Sequence, residues 1–378
     1  MKTLRRLIYR DTISAIGFVV LAFLAMFFFF DLLDAMGDVG RQFGDVTYSV
    51  WHALLSVSLS LPNHLYELLP IAVLIGSIFV MARFAQSSEF TIMRTSGLGP
   101  WLALRTMLTL GAGFVVLTVA VGDYIAPAAE RWSLTAKAKY LGTSSTVGST
   151  GAWLKEKNNG NTLALNVRTV RADGALTGIR IFNFDSQGRI VLQIHADAGQ
   201  VQEDADVWRL PQARLTRFSY NDAASSSNPA DAVQVTREAL TDYAWPTSIS
   251  SEMLVAAVHK PDRMPTLELF QFIQHLKDND QSAQKYEIEF WRKVFYPLSC
   301  LVMVVLALPF AYLHFRSGGI AGYVFGGVMA GISFFLLNNV FGYAGNLQNW
   351  SPMLTAAAPG LIYSILSLGA FAWLVLRR

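Results

Sequence analysis

Charge is scarce in this sequence. Only 15% of its 378 residues are Asp, Glu, Lys or Arg, where average soluble domains carry about 25%. Neither sign dominates: the net charge is +3, which gives a nucleic-acid partner little to recognise. There is one cysteine, Cys300, inside an apolar run. A single thiol excludes a disulfide within the chain, so any exported part folds without one. No glycine is followed by lysine. The phosphate loop GxxxxGK[ST] is therefore missing, and the chain is not a P-loop ATPase by itself. HExxH, GxSxG and CxxC are also absent. The histidines are His52, His64, His195, His259, His275 and His314, no two at helical metal-ligand spacing. A zinc site is not expected, and each reads as an interfacial or surface residue.

What is abundant is apolar sequence: 53% of the residues are hydrophobic. A bilayer core takes about 20 apolar residues per helix. Stretches at roughly 13–33, 64–82, 102–126, 294–313, 320–341 and 353–376 qualify or nearly do. The second is the least clean, with Asn63, His64 and Glu67 at its start and Pro70 following. Ahead of the first lies the basic "MKTLRRLIYRDT", read as a short interfacial helix. The run from Ile13 to Phe30 is 18 residues long, and no Ala-x-Ala site closely follows it. This favours a retained anchor over a cleaved signal peptide.

With the N-terminus inside, the cytoplasmic side collects Lys2, Arg5, Arg6, Arg10, Arg83, Arg94, Arg105, Arg316, Arg377 and Arg378. The first external loop, about 34–60, holds Arg41 against Asp34, Asp38 and Asp45. The asymmetry satisfies the positive-inside rule. Both termini and the segment 84–100 are then cytoplasmic, and a long insert, about 127–291, is external.

That insert reads as β-structure. "TLALNVRTV", "TGIRIFNFD", "GRIVLQIHADAG" and "DVWRLPQARLTRFS" alternate or cluster apolar residues between turn signals. Their regular spacing predicts a sandwich or open barrel. After Pro261 and Pro265, "TLELFQFIQHLKDND" has helical periodicity. Leu267, Phe270, Ile273 and Leu276 are expected on one side of it and Thr266 as its N-cap. The division expected is 1–126 with three spans, 127–265 as the β-domain, 266–293 as a connecting helical segment, and 294–378 with three more spans.

Several groups carry possible function. Asp31, Asp34, Glu67 and Asp123 lie toward external span ends and make no mid-membrane proton relay. Arg131, Lys137 and Lys139 follow the third span; Arg292 and Lys293 precede the fourth. At headgroup level these cations suit anionic phosphates, and equally suit ordinary snorkelling. In "GGIAGYVFGGVMAGISFFLL", Gly322 and Gly326 are four apart, as are Gly327 and Gly331. That spacing permits close helix approach, within the chain or to another subunit.

The connection "FAQSSEFTIMRTSGLGP", 84–100, has the marks of a built helix over roughly 88–96. Ser87 or Ser88 is expected to cap it. Glu89 stands in its first turn, where the helix dipole favours an acid. Gly97 and Pro100 close it. Glu89, Ile92, Met93 and Ser96 are expected on one face. Docking in a groove on another protein and lying on the membrane both fit that face.

At these residues the sequence resembles the LptF/LptG family, permeases of the lipopolysaccharide-export ABC transporter, most closely its LptG-type members. "YELLPIAVLIG" at 66–76 and "SSEFTIMRTSGLG" at 87–99 carry the likeness. "VGDYIAPAAE" at 121–130, "GAWLKEK" at 151–157 and "FWRKVFYPLS" at 290–299 extend it.

The resemblance implies six transmembrane helices with an inserted periplasmic all-β domain, β-jellyroll-like, in the bacterial inner membrane. It implies a heterodimer with an LptF-type subunit on two copies of the LptB ATPase, with LptC and an LptA-type periplasmic bridge. Lipopolysaccharide enters from the outer leaflet. The chain itself is not an enzyme and binds no cofactor, since ATP and Mg belong to the partner ATPase. By resemblance, segment 84–100 is the coupling helix, with Glu89 on the ATPase and Phe90, Met93 and Arg94 flanking. The fifth span lines a gate between subunits, which suits Gly322, Gly326, Gly327 and Gly331.

One departure concerns the outer end of the first span. Some relatives carry basic residues there, whereas this chain has "FFFFDLLDAMGDVG". Phosphate contacts then fall to Arg41, Arg131, Lys137, Lys139, or the partner subunit, with Arg292 and Lys293 as further candidates. A membrane-anchored enzyme with an external β-domain and a non-transporting envelope scaffold are the competing classes.

Overall fold

In the computed structural model the basic start and the first apolar run form one continuous helix, α1 (Lys2–Met36). The structure describes residues 2–43, 46–141, 145–146, 151–158, 161–170, 175–202, 207–220, 233–247, 249, 253–254, 261–312 and 320–373. A short hairpin follows, β1 (Gln42–Phe43) with β2 (Val46–Thr47). α2 (Val50–Gln86) is a helix of 37 residues, starting well before the expected 64. It contains Pro62 and Pro70, and in its most apolar window 78% of residues are buried. The polar start is not part of that buried stretch: between Val50 and Tyr66 the buried residues are Ala53, Ser56 and Val57. Ser58 and Ser60 donate to the carbonyls of Leu54 and Ser56, the kind of local satisfaction that spanning helices with proline rely on.

After the short α3 (Glu89–Thr95), α4 (Pro100–Ala120) runs into a π-turn (Val121–Ile125) and α5 (Ala126–Leu141). Later come α6 (Thr266–Asp278), α7 (Gln284–Phe295), α8 (Ser299–Ala307), a 3₁₀ turn (Leu308–Tyr312), α9 (Ile320–Leu347) and α10 (Pro352–Phe371). Among the described residues five helices are long and apolar enough to cross a bilayer, and the α7–α8 pair, bent by 47°, makes six if it is one broken span. Pro297 falls at that bend, where a missing N–H interrupts the helix ladder.

The chain divides into two compact units. One comprises 1–39, 49–130 and 284–378, and the other 40–48 and 131–283. α2 supplies much of the first unit's core, through Val73, Leu74, Ile78, Met81 and Phe84. Around them pack Ile8 and Ile16 of α1, Met107 of α4, Met303 and Val304 of α8, and Phe334 of α9. Two close approaches depend on glycine. A Cβ on Gly76 would stand 2.8 Å from the Ile16 Cα and backbone N, and one on Gly111 3.3 Å from the Leu301 Cα.

The second unit holds a seven-stranded antiparallel sheet. Its strands are β3 (Ser145–Thr146), β4 (Ala152–Asn158), β5 (Asn161–Val170), β6 (Ala175–Phe184), β7 (Ile190–Gln202), β8 (Val207–Tyr220) and β9 (Val233–Pro246). The order is β3-β5-β6-β7-β8-β9, with β4 also paired to β5. The inner face begins with Leu165 and Val167 opposite Ile181 and Ile179, and continues through Ile194 opposite Leu215. The alternation then shifts phase. Leu176 is buried on one side of Gly178 (φ +63°), and Ile179 and Ile181 on the other. On β8, Trp208 and Leu210 precede Gln212 (φ 51°), and Ala213 and Leu215 follow it. Such local irregularities re-aim side chains without ending the pairing. Trp208 is fully buried and donates its indole N–H to Ile249 O at 2.9 Å.

In α6 the expected phase needs correction. Leu269, Phe272, Ile273 and Leu276 are buried, while Leu267 and Phe270 are 68% and 46% exposed. Pro265 is the N-cap rather than Thr266. The i, i+3, i+4, i+7 set starting at 269 is the one with an unbroken apolar stripe.

Candidate functional site

α3 is built as a knob with two unlike faces. α2 ends where the Ser87 N–H and Oγ–H both donate to Arg83 O, each at 3.0 Å. Ser88 then turns left-handed at φ 60°, and neither serine gives the expected side-chain cap. Ser87 is occupied by closing α2, and the left-handed turn at Ser88 departs from the extended backbone usual at an N-cap. The other end matches expectation. Gly97 has φ 101°, and Leu98 N–H reaches back to Met93 O at 2.9 Å, which is the glycine-closed helix ending.

The inward face of this helix is Phe90 and Met93, 3% and 2% exposed, with Leu98 at 2% behind them. Phe90 meets Tyr312 edge to face at 4.9 Å, and the Arg94 guanidinium lies 5.1 Å from the same ring. Met93 therefore leaves the face expected for it and packs inside with Phe90, three residues away. The outward face keeps Glu89, Ile92 and Ser96, with Ile92 63% exposed. An acid beside an exposed aliphatic side chain, on a turn anchored from behind, is suited to contact with another protein.

The candidate phosphate residues are placed variously. Arg41 is exposed and flanks the hairpin, its carbonyl accepting from Tyr48 N–H at 2.9 Å. Arg131 pairs with Glu268 at 3.2 Å. Lys137 and Lys139 lie along the backbone of α5, and their side chains fall outside the described residues. Arg292 is held by Glu289 at 3.1 Å and by Asn339 at 3.4 Å. Lys293 is turned inward. Its side chain is 4% exposed and faces Asp123 at 4.0 Å, with the Tyr66 ring 5.7 Å away. The reason is local. Asp123 sits in the π-turn, whose extra residue alters the helix phase, and Gly122 lets Tyr66 fit there, since a Cβ would meet its ring at 2.5 Å.

The four α9 glycines separate into two seams. A Cβ on Gly327 would meet Ile78 Cδ1, and one on Gly331 would meet Ile71 Cγ2, both at 2.8 Å. Those two pack on α2 of the same chain. At Gly322 and Gly326 no described atom lies within 4 Å of such a Cβ.

Sequence reading missed the polar pairs that join helices. His64 Nε2 meets Asp31 Oδ2 at 2.8 Å, with Phe27 stacked on the imidazole at 4.7 Å. Asn63 donates to Glu130 at 2.9 Å. Arg83 pairs with Asp11. Each partner was visible as a polar or ionisable residue near a span, but nothing in one sequence says which faces which. Among the described residues no group of His, Cys, Asp and Glu suits a metal ion.

An apolar helical bundle of spanning length, carrying an inserted antiparallel sheet and one short helix anchored from within, defines a multi-pass membrane protein. Residues 6–377 match the family "Lipopolysaccharide export system permease LptF/LptG", and the chain belongs to that family. It is similar to the lipopolysaccharide export system permease protein LptG of Haemophilus influenzae, 24% identical over 379 residues, covering 100% of this chain and 99% of that one. It is also similar to LptG of Escherichia coli K12, 27% identical over 342 residues and 90% of each chain.

Proposed function

We propose that this chain is the non-catalytic, LptG-type permease subunit of an ABC exporter that extracts lipopolysaccharide from the outer leaflet of the inner membrane. It hands the lipid to a periplasmic bridge, and a separate cytoplasmic ATPase supplies the energy. The termini and α3 face the cytoplasm, and the sheet-bearing unit faces the periplasm. An LptF-type subunit, two LptB ATPases, LptC and an LptA-type bridge complete the assembly. ATP and Mg stay on the ATPase.

The observation that carries this reading is the division of α3. Phe90 and Met93 are buried in the chain's own core, while Glu89 and Ile92 remain outside. In this reading the inward pair holds the knob, and the outward pair receives force from the ATPase. A chain without a phosphate loop needs such a surface if ATP is to move it.

The test is purification of the complex with Glu89→Ala and Glu89→Lys. Both variants are expected to insert at wild-type level. Glu89→Lys sheds the ATPase, and Glu89→Ala weakens its retention or uncouples hydrolysis from lipid release. Normal ATPase retention and lipid release in both variants would reject the assignment.

A further inference from the structure

α3 is joined to the bundle through the end of α2. Arg83, in the last turn of α2, is fixed at three points. Its carbonyl accepts both bonds from Ser87, which closes the turn ahead of α3. Its guanidinium lies 5.4 Å from the ring of Phe84, which is fully buried. The same guanidinium bonds the carboxylate of Asp11 on α1. Only 44% of the Arg83 side chain and 21% of the Asp11 side chain are exposed.

Much of α1 faces away from the rest of the chain. In its most apolar window only 6% of residues are buried. Its inward stripe near this end is Ile8, Thr12 and Ile16, spaced by four and each almost fully buried. The stripe meets α2 at Gly76. Two hydroxyls of these helices, Thr12 Oγ and Ser77 Oγ, are buried with no hydrogen-bond partner among the described residues. Unsatisfied buried hydroxyls disfavour the packing that strands them. They narrow the energy gap to a shifted position of α1, which is what a movable helix requires.

We infer that Asp11 and Arg83 form a positioning pair that ties α1 to the turn bearing α3, so that displacement of α3 is passed to α1. The inference rests on α3 being the ATPase-docking helix. An oriented charge pair suits this role because it is directional. The exposed cations of the same stretch, Arg5, Arg6 and Arg10, leave Asp11 the acid of this segment.

The experiment uses the reconstituted complex of this chain with its partner subunit and ATPase, in vesicles loaded with lipopolysaccharide. The variants are Asp11→Asn, the swap Asp11→Arg with Arg83→Asp, and Glu89→Lys. Spin labels at Ser14 and Gln86 report the distance between α1 and the end of α2. Asp11→Asn is expected to keep the chain level and ATPase retention of the wild type. Lipid released per ATP falls about fivefold, the range of one partly exposed ion pair. The nucleotide-dependent change in label distance is lost, and the swap restores most of both signals.

Wild-type release and label motion in Asp11→Asn would overturn the inference. So would a loss of release that only tracks loss of chain or ATPase, since that marks a structural role. An intact swap variant that recovers nothing also overturns it. If Glu89→Lys keeps ATPase and release, the docking reading itself has failed. If Glu89→Lys sheds the ATPase while Asp11→Asn behaves as wild type, only the transmission step has failed.

Discussion

Gly76→Ala is the sharpest single perturbation of the seam between α1 and α2. A Cβ there would stand 2.7 Å from Ile16 Cγ1 and 2.8 Å from both Ile16 Cα and N. Ordinary contact begins near 3.4 Å. The side-chain atom can rotate away, but the two backbone atoms cannot. α1 must therefore recede by about 0.6 Å or more at this level, a gap that forfeits a quarter or more of each affected contact. Ile8, Thr12 and Ile16 all lie on the face that recedes. Overpacking of this kind costs about 1–3 kcal/mol, and rigid backbone on one side puts the expected value near 2–3 kcal/mol. Gly17→Ala is the control, since no described atom lies within 4 Å of its Cβ. The assay is reversible denaturation of the purified chain in mixed micelles, with both variants compared to wild type. If Gly76→Ala falls within about 0.5 kcal/mol of Gly17→Ala, backbone closeness at this seam does not hold α1, and the reasoning fails.

Two further outcomes follow from burial of charge. Lys293→Met leaves Asp123 without that ammonium group and should cost about 2 kcal/mol, below the usual ~3–5 for a fully buried pair, because Asp123 keeps 30% exposure. The double change with Asp123→Leu should recover most of the loss in the same micelle assay. In the sheet-bearing unit, burial holds His275 below its ordinary value of 6.5, against the opposing pull of Glu156 and Asp278. The unfolded chain then takes up the proton first as pH drops. Stability is full above about 6.5, declines below it, and stops declining once pH passes the lower folded value. Hydrogen exchange of α6 across that window should show the decline, and His275→Gln should flatten it.

How much of this was readable in advance depended on whether the signal was local. Four strands of the insert and the helix ending at Gly97 follow from patterns within a dozen residues. β9 did not, because "VQVTREALTDYAWP" is exposed along nearly its whole length and an exposed strand has no apolar alternation to read. The start of α2 was missed for another reason. Its serines, Pro62 and Asn63 look wrong for lipid, yet Ser58 and Ser60 bond carbonyls of their own helix and Asn63 bonds Glu130. On α3 the helix, its end and its acid were legible. Its orientation was not, since Ile92 and Met93 are equally apolar, and the core that takes Phe90 and Met93 inward includes residues as distant in sequence as Leu308 and Tyr312. The cations at 292 and 293 show the same limit. Adjacent residues of like charge looked like one headgroup patch, but helical spacing sends one to Glu289 and the other to Asp123.

The arrangement of α1 also has a reason in the solvent it meets. Lipid tails are as apolar as Phe18, Leu21 or Phe29, which are 74%, 67% and 56% exposed on α1, so burying them against the bundle gains little. What can hold such a helix is close backbone packing and polar pairing. α1 has each where it can be used. Gly76 admits the Ile16 backbone in the apolar stretch, and the pairs Asp11–Arg83 and Asp31–His64 stand nearer its two ends. Removing a lipid-facing side chain should therefore hardly loosen the helix, whereas filling the glycine seam or neutralising an end pair should. A helix so held is fixed at three places and free between them, which suits it to move as a unit when one tie is pulled.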